Sequence, residues 1–195
     1  MKSKIILIAM VASVAISCKG RQDSANQMEV KDSLSTSADS VMADSRGYIV
    51  AVGDLAPDFE IEYADGKKEM LSSLRGKVVM LQFTASWCGV CRKEMPFIEK
   101  DIWQKHKNNS SFALIGIDFK ETPEVAAKFA KDIKITYPLT LDRDGVKFNL
   151  FCGPDAGVTR NIIINKEGRI IMLTRLYEEE EFAEMVKLID AELLK

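Results

Sequence analysis

The residues of this 195-residue chain best suited to chemistry are Cys88 and Cys91, in the run Trp87-Cys88-Gly89-Val90-Cys91. Two cysteines with two residues between them can close a small disulfide across one helical turn. Their chemistry is thiol–disulfide exchange, in which a thiolate attacks a sulfur–sulfur bond. The run stands where an apolar, strand-like stretch gives way to a helical one. A helix N-terminus offers unpaired N–H groups and the positive end of the peptide dipoles, and both favour a thiolate. Cys88, at the outer edge of that turn, is the expected nucleophile; Cys91, one turn deeper, is the expected resolving thiol. The same pair would also fit half a zinc site or a buried structural pair. Zinc asks for four ligands, and no second pair stands at suitable spacing, so neither a metal nor a cofactor is expected.

The elements that must hold this pair are legible around it. Lys77 to Thr84 (KVVMLQFT) is a nearly unbroken apolar and β-branched run, as in a strand covered on both faces. A helix is predicted from Cys88 to about His106, with Met95, Ile98, Ile102 and His106 at helical spacing. Phe112 to Phe119 reads as a second buried strand, and Pro123 to Lys131 as a helix with Thr122 as its N-cap. Asn161–Asn165 and Arg169–Thr174 flank Lys166-Glu167-Gly168 as a hairpin. Glu178 to Leu194 closes the chain as an amphipathic helix whose four opening acids suit the helix dipole. Before the dithiol, Ala56–Ile61 reads as a short strand leading to a turn at Ala64-Asp65-Gly66. This order describes an α/β domain: a central sheet with helices on both faces.

With these pieces in place, the stretch from Val52 to Pro96 resembles the thioredoxin-fold thiol–disulfide oxidoreductases of the TlpA/ResA type. The matching residues are Gly53-Asp54, Ala56-Pro57-Asp58-Phe59, Asp65-Gly66-Lys67, Leu71 through Leu74 to Gly76-Lys77-Val78-Val79, and Trp87 through Pro96. Gly157-Val158 and Ile162 through Ile170 match the family's later hairpin. The resemblance implies a thioredoxin fold, with a central mixed β-sheet flanked by helices and an N-terminal β extension. It implies a membrane-tethered protein outside the cytoplasm that exchanges disulfides with protein thiols, in the reducing direction. Apocytochrome c or oxidised envelope proteins would be its clients, and an upstream membrane electron donor would recharge it. By position, Glu94 matches an acid that lies near the dithiol in that family, although a first-turn acid favoured by the helix dipole reads the same way. Pro96 matches the proline that bends the active-site helix. Trp87, Gly89, Val90, Val158 and Thr159 fall at supporting positions.

Three residues depart from the family pattern. Val90 replaces the usual proline inside the dithiol motif. Gln82, six residues before Cys88, replaces the buried acid of thioredoxin itself; it cannot titrate, which leaves Glu94 or water to move the proton of Cys91. Thr159 stands where the loop facing the dithiol normally carries a cis-proline. A residue other than proline holds a cis bond far less readily; the expectation is nonetheless that Val158–Thr159 is cis. Cys152, seven residues before Thr159, reads as a buried apolar group rather than a third active thiol. His106 reads as structural.

The N-terminal part reads as an address. Lys2 and Lys4 precede an apolar run from Ile5 to Ile16, which as a helix would rise only about 18 Å, too short for a hydrocarbon core of about 30 Å. Such a run suits a signal peptide over residues 1–17. Ala15-Ile16-Ser17-Cys18 resembles a bacterial lipobox, making Cys18 the expected lipid attachment site; plain cleavage after a small residue is the alternative. Residues 19–47 hold six serines, four aspartates and no aromatic side chain, so 18–47 is expected to be a lipidated, disordered tether. The folded domain is then 48–195.

Composition narrows the remaining classes. With 47% hydrophobic and 29% charged residues the chain suits a globular domain. A net charge of −2, or 25 − 29 = −4 without residues 1–17, gives no broad attraction to nucleic acid. The domain is expected to act as a monomer in the cell envelope. Two other functions fit parts of the sequence. One is a peroxiredoxin-like thiol peroxidase, against which stand Ala85 and Leu81, where that chemistry uses Thr or Ser and Pro. The other is a tethered binding module that has lost redox cycling, suggested by Thr159 and Gln82.

Overall fold

The computed structural model describes residues 46–195. The expected signal peptide, Cys18 and nearly all of the tether lie outside the described residues. Arg46 and Gly47, assigned to the tether by sequence, belong to the domain. The Arg46 guanidinium donates to the Leu173 carbonyl at 2.7 Å, its own carbonyl accepts from Arg160 Nη2 at 2.7 Å, and Gly153 N donates to the Gly47 carbonyl at 3.0 Å.

In chain order the elements are β1 (Glu60–Glu62), β2 (Lys68–Met70), a 3₁₀ turn (Leu71–Leu74), β3 (Val78–Thr84) and α1 (Gly89–Phe97). A π-helical segment (Ile98–Trp103) then runs into α2 (Gln104–His106). They are followed by β4 (Phe112–Phe119), α3 (Pro123–Ile133), β5 (Leu139–Asp142), α4 (Val146–Asn149), β6 (Arg160–Ile164), β7 (Ile170–Arg175) and α5 (Glu179–Leu193). Five strands form one mixed sheet in the order β5-β4-β3-β6-β7. β3 pairs parallel with β4 and antiparallel with β6, so it sits at the centre. All seven of its residues are buried, as an apolar run without alternation requires. β1 and β2 form a separate antiparallel hairpin, the expected N-terminal β extension.

Strand residues alternate between two cores. Val79, Leu81 and Phe83 face one core, with Tyr48, Phe59, Ile61, Phe148 and Phe151; Val78 and Met80 face the other, with residues of α1, the π segment, α3 and α5. Helices lie on both faces, but unequally. The long ones share the second face, while α4, the 3₁₀ turn and the N-terminal extension cover the first.

Several elements differ from the sequence reading. Ala56–Phe59 is not a strand, because Pro57 has no N–H to give a ladder; Ala56 N instead donates to Gly168 O at 2.9 Å. The helix beginning at Cys88 does reach His106, but it widens into a π turn just after Pro96, which leaves the Arg92 carbonyl without its usual donor. β2, β5 and α4 carried no sequence signal. α4 spans only four residues; it starts from Gly145 at φ 73°, and the Asp142 carboxylate accepts from Lys147 N (3.1 Å) and Phe148 N (2.8 Å).

Candidate active site

β3 ends at Thr84, and four residues later the chain enters α1. Cys88 is the N-cap of that helix: its backbone is extended (φ −84°, ψ 108°), and its sulfur accepts the Cys91 N–H at 3.2 Å. A cap acceptor satisfies one of the orphan donors of the first turn, and here the acceptor is sulfur. Cys88 and Cys91 are joined as a disulfide with a Cα–Cα separation of 5.3 Å, inside the ordinary range. Cys88 keeps 7% of its surface exposed and Cys91 none, so a partner reaches the pair through Cys88. Trp87, 65% exposed, stands beside this entrance. Gly89 has open space where a Cβ would stand, and Val90 packs against the helix-side core.

The loop leading to Cys88 is fixed from both sides of one residue. Glu121, just past β4, accepts from Ser86 N and Ser86 Oγ, both at 2.6 Å, and Arg92 Nε donates to Ser86 O at 2.7 Å. Beneath it, Asp118 pairs in register with Thr84, and its two carboxyl oxygens are buried without a hydrogen-bond donor among the described residues. Burial, with the Glu121 carboxylate nearby, pushes Asp118 up to about 8.

Glu94 is not a solvated first-turn acid. It is 2% exposed and turned into the sheet. Its Oε2 accepts from Thr159 Oγ1 (3.0 Å) and Gln82 Nε2 (3.4 Å), and its Oε1 accepts from Asn161 Nδ2 (2.6 Å). Burial pushes its pKa up to about 7, against the pull of those three donors. The Val158–Thr159 peptide is cis, as expected, and Thr159 is fully buried. Its hydroxyl, absent from the proline it replaces, is what ties this loop to Glu94.

Cys152 belongs to the other core, on the face of the sheet away from the dithiol. It is free and buried, and burial pushes its thiol up to about 12. His106 is structural: its Nε2 meets Asp190 Oδ1 at 2.8 Å, joining the end of the active-site helix to α5. Glu179, Glu180 and Glu181 stand in the first turn of α5, where the helix dipole favours acids, and Glu181 pairs with Arg46 at 3.2 Å. Sequence reasoning missed Asn161, Tyr137, Asp118 and Glu121. The available signal was an acid or amide interrupting an apolar strand, as in Ile117-Asp118-Phe119 and Asn161 before Ile162.

Comparison with known proteins agrees with this geometry. The Redoxin family model matches residues 51–189. The thiol-disulfide oxidoreductase ResA of Geobacillus thermodenitrificans is 32% identical over 124 residues, covering 62% of this chain and 67% of that protein. A solution structure from Bacteroides thetaiotaomicron, provisionally assigned as a protein disulfide isomerase, shares 62% identity at a TM-score of 0.74 and covers 76% of this chain and 94% of that one. A Chlorobium tepidum protein, provisionally assigned as the thiol:disulfide interchange protein DsbE, shares 26% identity at a TM-score of 0.65 over 74% and 99% of the two chains. The chain belongs to the Redoxin family, as a TlpA/ResA-like thioredoxin-fold thiol–disulfide oxidoreductase with Cys88 and Cys91 as its disulfide pair.

Proposed function

We propose that the protein is a disulfide reductase acting on protein clients outside the cytoplasm, held at a membrane through lipidated Cys18. The observation that carries the chemistry is the capped pair itself. Cys88, the less buried of the two cysteines, is the one whose sulfur accepts an N–H at the helix N-terminus, where a thiolate is favoured. In the reduced protein, the Cys88 thiolate attacks a client disulfide. One client sulfur leaves as a thiolate, and Cys88 stays bonded to the other. Cys91 then loses its proton, attacks Cys88 Sγ and expels the second client thiolate. The client gains two electrons and leaves as two thiolates, which take up the proton released from Cys91 and one more from solvent; Cys88–Cys91 becomes the disulfide seen here. A dithiol donor must reduce it again.

Glu94 is the group that takes the proton of Cys91. It lies three residues further along the same helix, so the two side chains share a face, and it titrates near neutral pH. Gln82 cannot take this part, but it donates to Glu94. Trp87 and the cis loop at Val158–Thr159 frame the surface a client approaches. The export and anchoring rest on residues 1–18, and the reducing direction and client class on the resemblance to the TlpA/ResA type.

The full chain, reduced beforehand, is expected to reduce insulin disulfides. Cys88→Ser abolishes the reaction and Cys91→Ser traps a mixed disulfide on Cys88. Exchange no faster than the buffer control would reject the proposal. Rapid alkylation of whole cells reads the direction: a dithiol found reduced supports a reductase, and one found oxidised reverses the assignment. Cys18→Ser is expected to release the protein from membranes.

A further inference from the structure

Glu94 meets side chains from three separate parts of the chain: Gln82 on β3, Thr159 in the cis loop and Asn161 on β6. A second layer stands behind them. The Tyr137 hydroxyl donates to Gln82 Oε1 at 2.6 Å, and Asn161 Nδ2 also reaches Thr174 Oγ1 at 3.0 Å. Gln82, Tyr137, Thr159, Asn161 and Thr174 are all buried.

An ionised carboxylate can only accept hydrogen bonds, so each neighbour must turn a donor toward it. Gln82 does this with its amide nitrogen, which leaves its carbonyl facing away in a buried place. Without the Tyr137 hydroxyl that carbonyl would be an orphan acceptor, so Tyr137 decides which way Gln82 faces. Asn161 is arranged differently. Its nitrogen carries both contacts, and its Oδ1 is buried without a partner among the described residues. Rotated by half a turn, the same amide would offer Oδ1 to a protonated Glu94 and to the Thr174 hydroxyl. It can therefore serve the carboxylate as donor and the acid as acceptor, at one place and without moving the backbone.

We propose that Asn161 and Tyr137 are positioning residues for the proton step at the dithiol: Asn161 reverses its amide as Glu94 gains or loses its proton, and Tyr137 locks Gln82 as a permanent donor to the carboxylate. The inference rests on the reading of Glu94 as the proton acceptor for Cys91. Other titratable groups bear on the same carboxyl. Glu181 on α5 disfavours its charge, and Tyr137 and Tyr177 feel that charge in turn. Lys93, next to Glu94 in sequence, lies over the Tyr177 ring at 4.9 Å. β3 and β6 present neutral amides to it, and the cis loop a hydroxyl.

The test is a carboxyl-carbon NMR titration of Glu94 in the oxidised full chain, read together with the side-chain amide signals of Asn161. Asn161→Ala is expected to raise the Glu94 midpoint by about one pH unit, since a hydrogen bond to a charged group is lost. Tyr137→Phe, a smaller change that keeps the ring, is expected to raise it less. In the wild type the Asn161 amide signals should titrate with the Glu94 midpoint. A midpoint unmoved in folded Asn161→Ala and Tyr137→Phe, or Asn161 signals constant through the titration, would overturn the proposal. Glu94→Gln separates the two layers. If it leaves the pH profile of single-turnover resolution unchanged, the proton-acceptor reading fails, whatever the two positioning variants do to the titration.

Discussion

At the scale of single residues, the decisive fact is that one carboxyl, three residues after Cys91 on the same helix, is buried and still surrounded by donors. Glu94 has its pKa raised by burial from 4.5 to about 7, so the folded protein binds its proton more tightly than the unfolded chain does. The sign follows from proton linkage. Stability from this group is fully present below the unfolded pKa and is lost as pH rises through about 7. Glu94→Gln removes that dependence. Urea denaturation of the oxidised protein is therefore expected to show wild type losing stability relative to Glu94→Gln between pH 5 and pH 8, by about 3 kcal/mol. Parallel pH curves for the two proteins would contradict the assignment. Cys152 makes the opposite case. Its thiol is buried and pushed up to about 12, so it should resist alkylation by iodoacetamide in the native state while the reduced Cys88 reacts, and Cys152→Ser should leave insulin reduction unchanged.

At the scale of elements, the junction between β3 and α1 is positioned by its neighbours more than by its own sequence. Ser86 is gripped through its N–H and hydroxyl by Glu121 and through its carbonyl by Arg92. Glu121 comes from the turn between β4 and α3, so this clasp ties the entrance of the active-site helix to the next crossover. Glu121→Ala leaves a half-buried N–H without its acceptor, and is expected to cost about 1–3 kcal/mol in chemical denaturation. A change below a few tenths of a kcal/mol would show that the clasp contributes nothing. The existence of β3, β4, β6, β7, α3 and α5 was legible because each carries a sustained period or an unbroken apolar run. β2, β5 and α4 were not, since three or four residues are too few for a periodic signal and are held by pairing with another strand or by the Asp142 carboxylate.

At the scale of the whole molecule, the domain takes in Arg46 and Gly47, which composition assigns to the tether. Tyr48 is 2% exposed, its hydroxyl donates to Thr174 O at 2.5 Å, and the Arg160 guanidinium lies 4.6 Å from its ring centre. Arg46 and Gly47 hold the loop and strand that follow Cys152. A chain starting at Ser45 is expected to keep the stability of the full chain, whereas one starting at Ile49 should lose about 3 kcal/mol or more through the missing buried aromatic. Equal denaturation midpoints for the two truncations would refute this. Among the described residues no helix is long and apolar enough to cross a membrane.

The amino-acid sequence on its own determined the dithiol, its place at a strand-to-helix junction, and the main strands and helices. All of these are local, written in spacings of two to a dozen residues. Only the tertiary structure decided what surrounds Glu94, because its partner Asn161 lies 67 residues away and Thr159 lies 65 away, brought beside it by the antiparallel pairing of β6 with β3. The same holds for Cys152, whose separation from the dithiol depends on which face of the sheet it meets. No spacing along the chain records that choice; it is made when the two cores form.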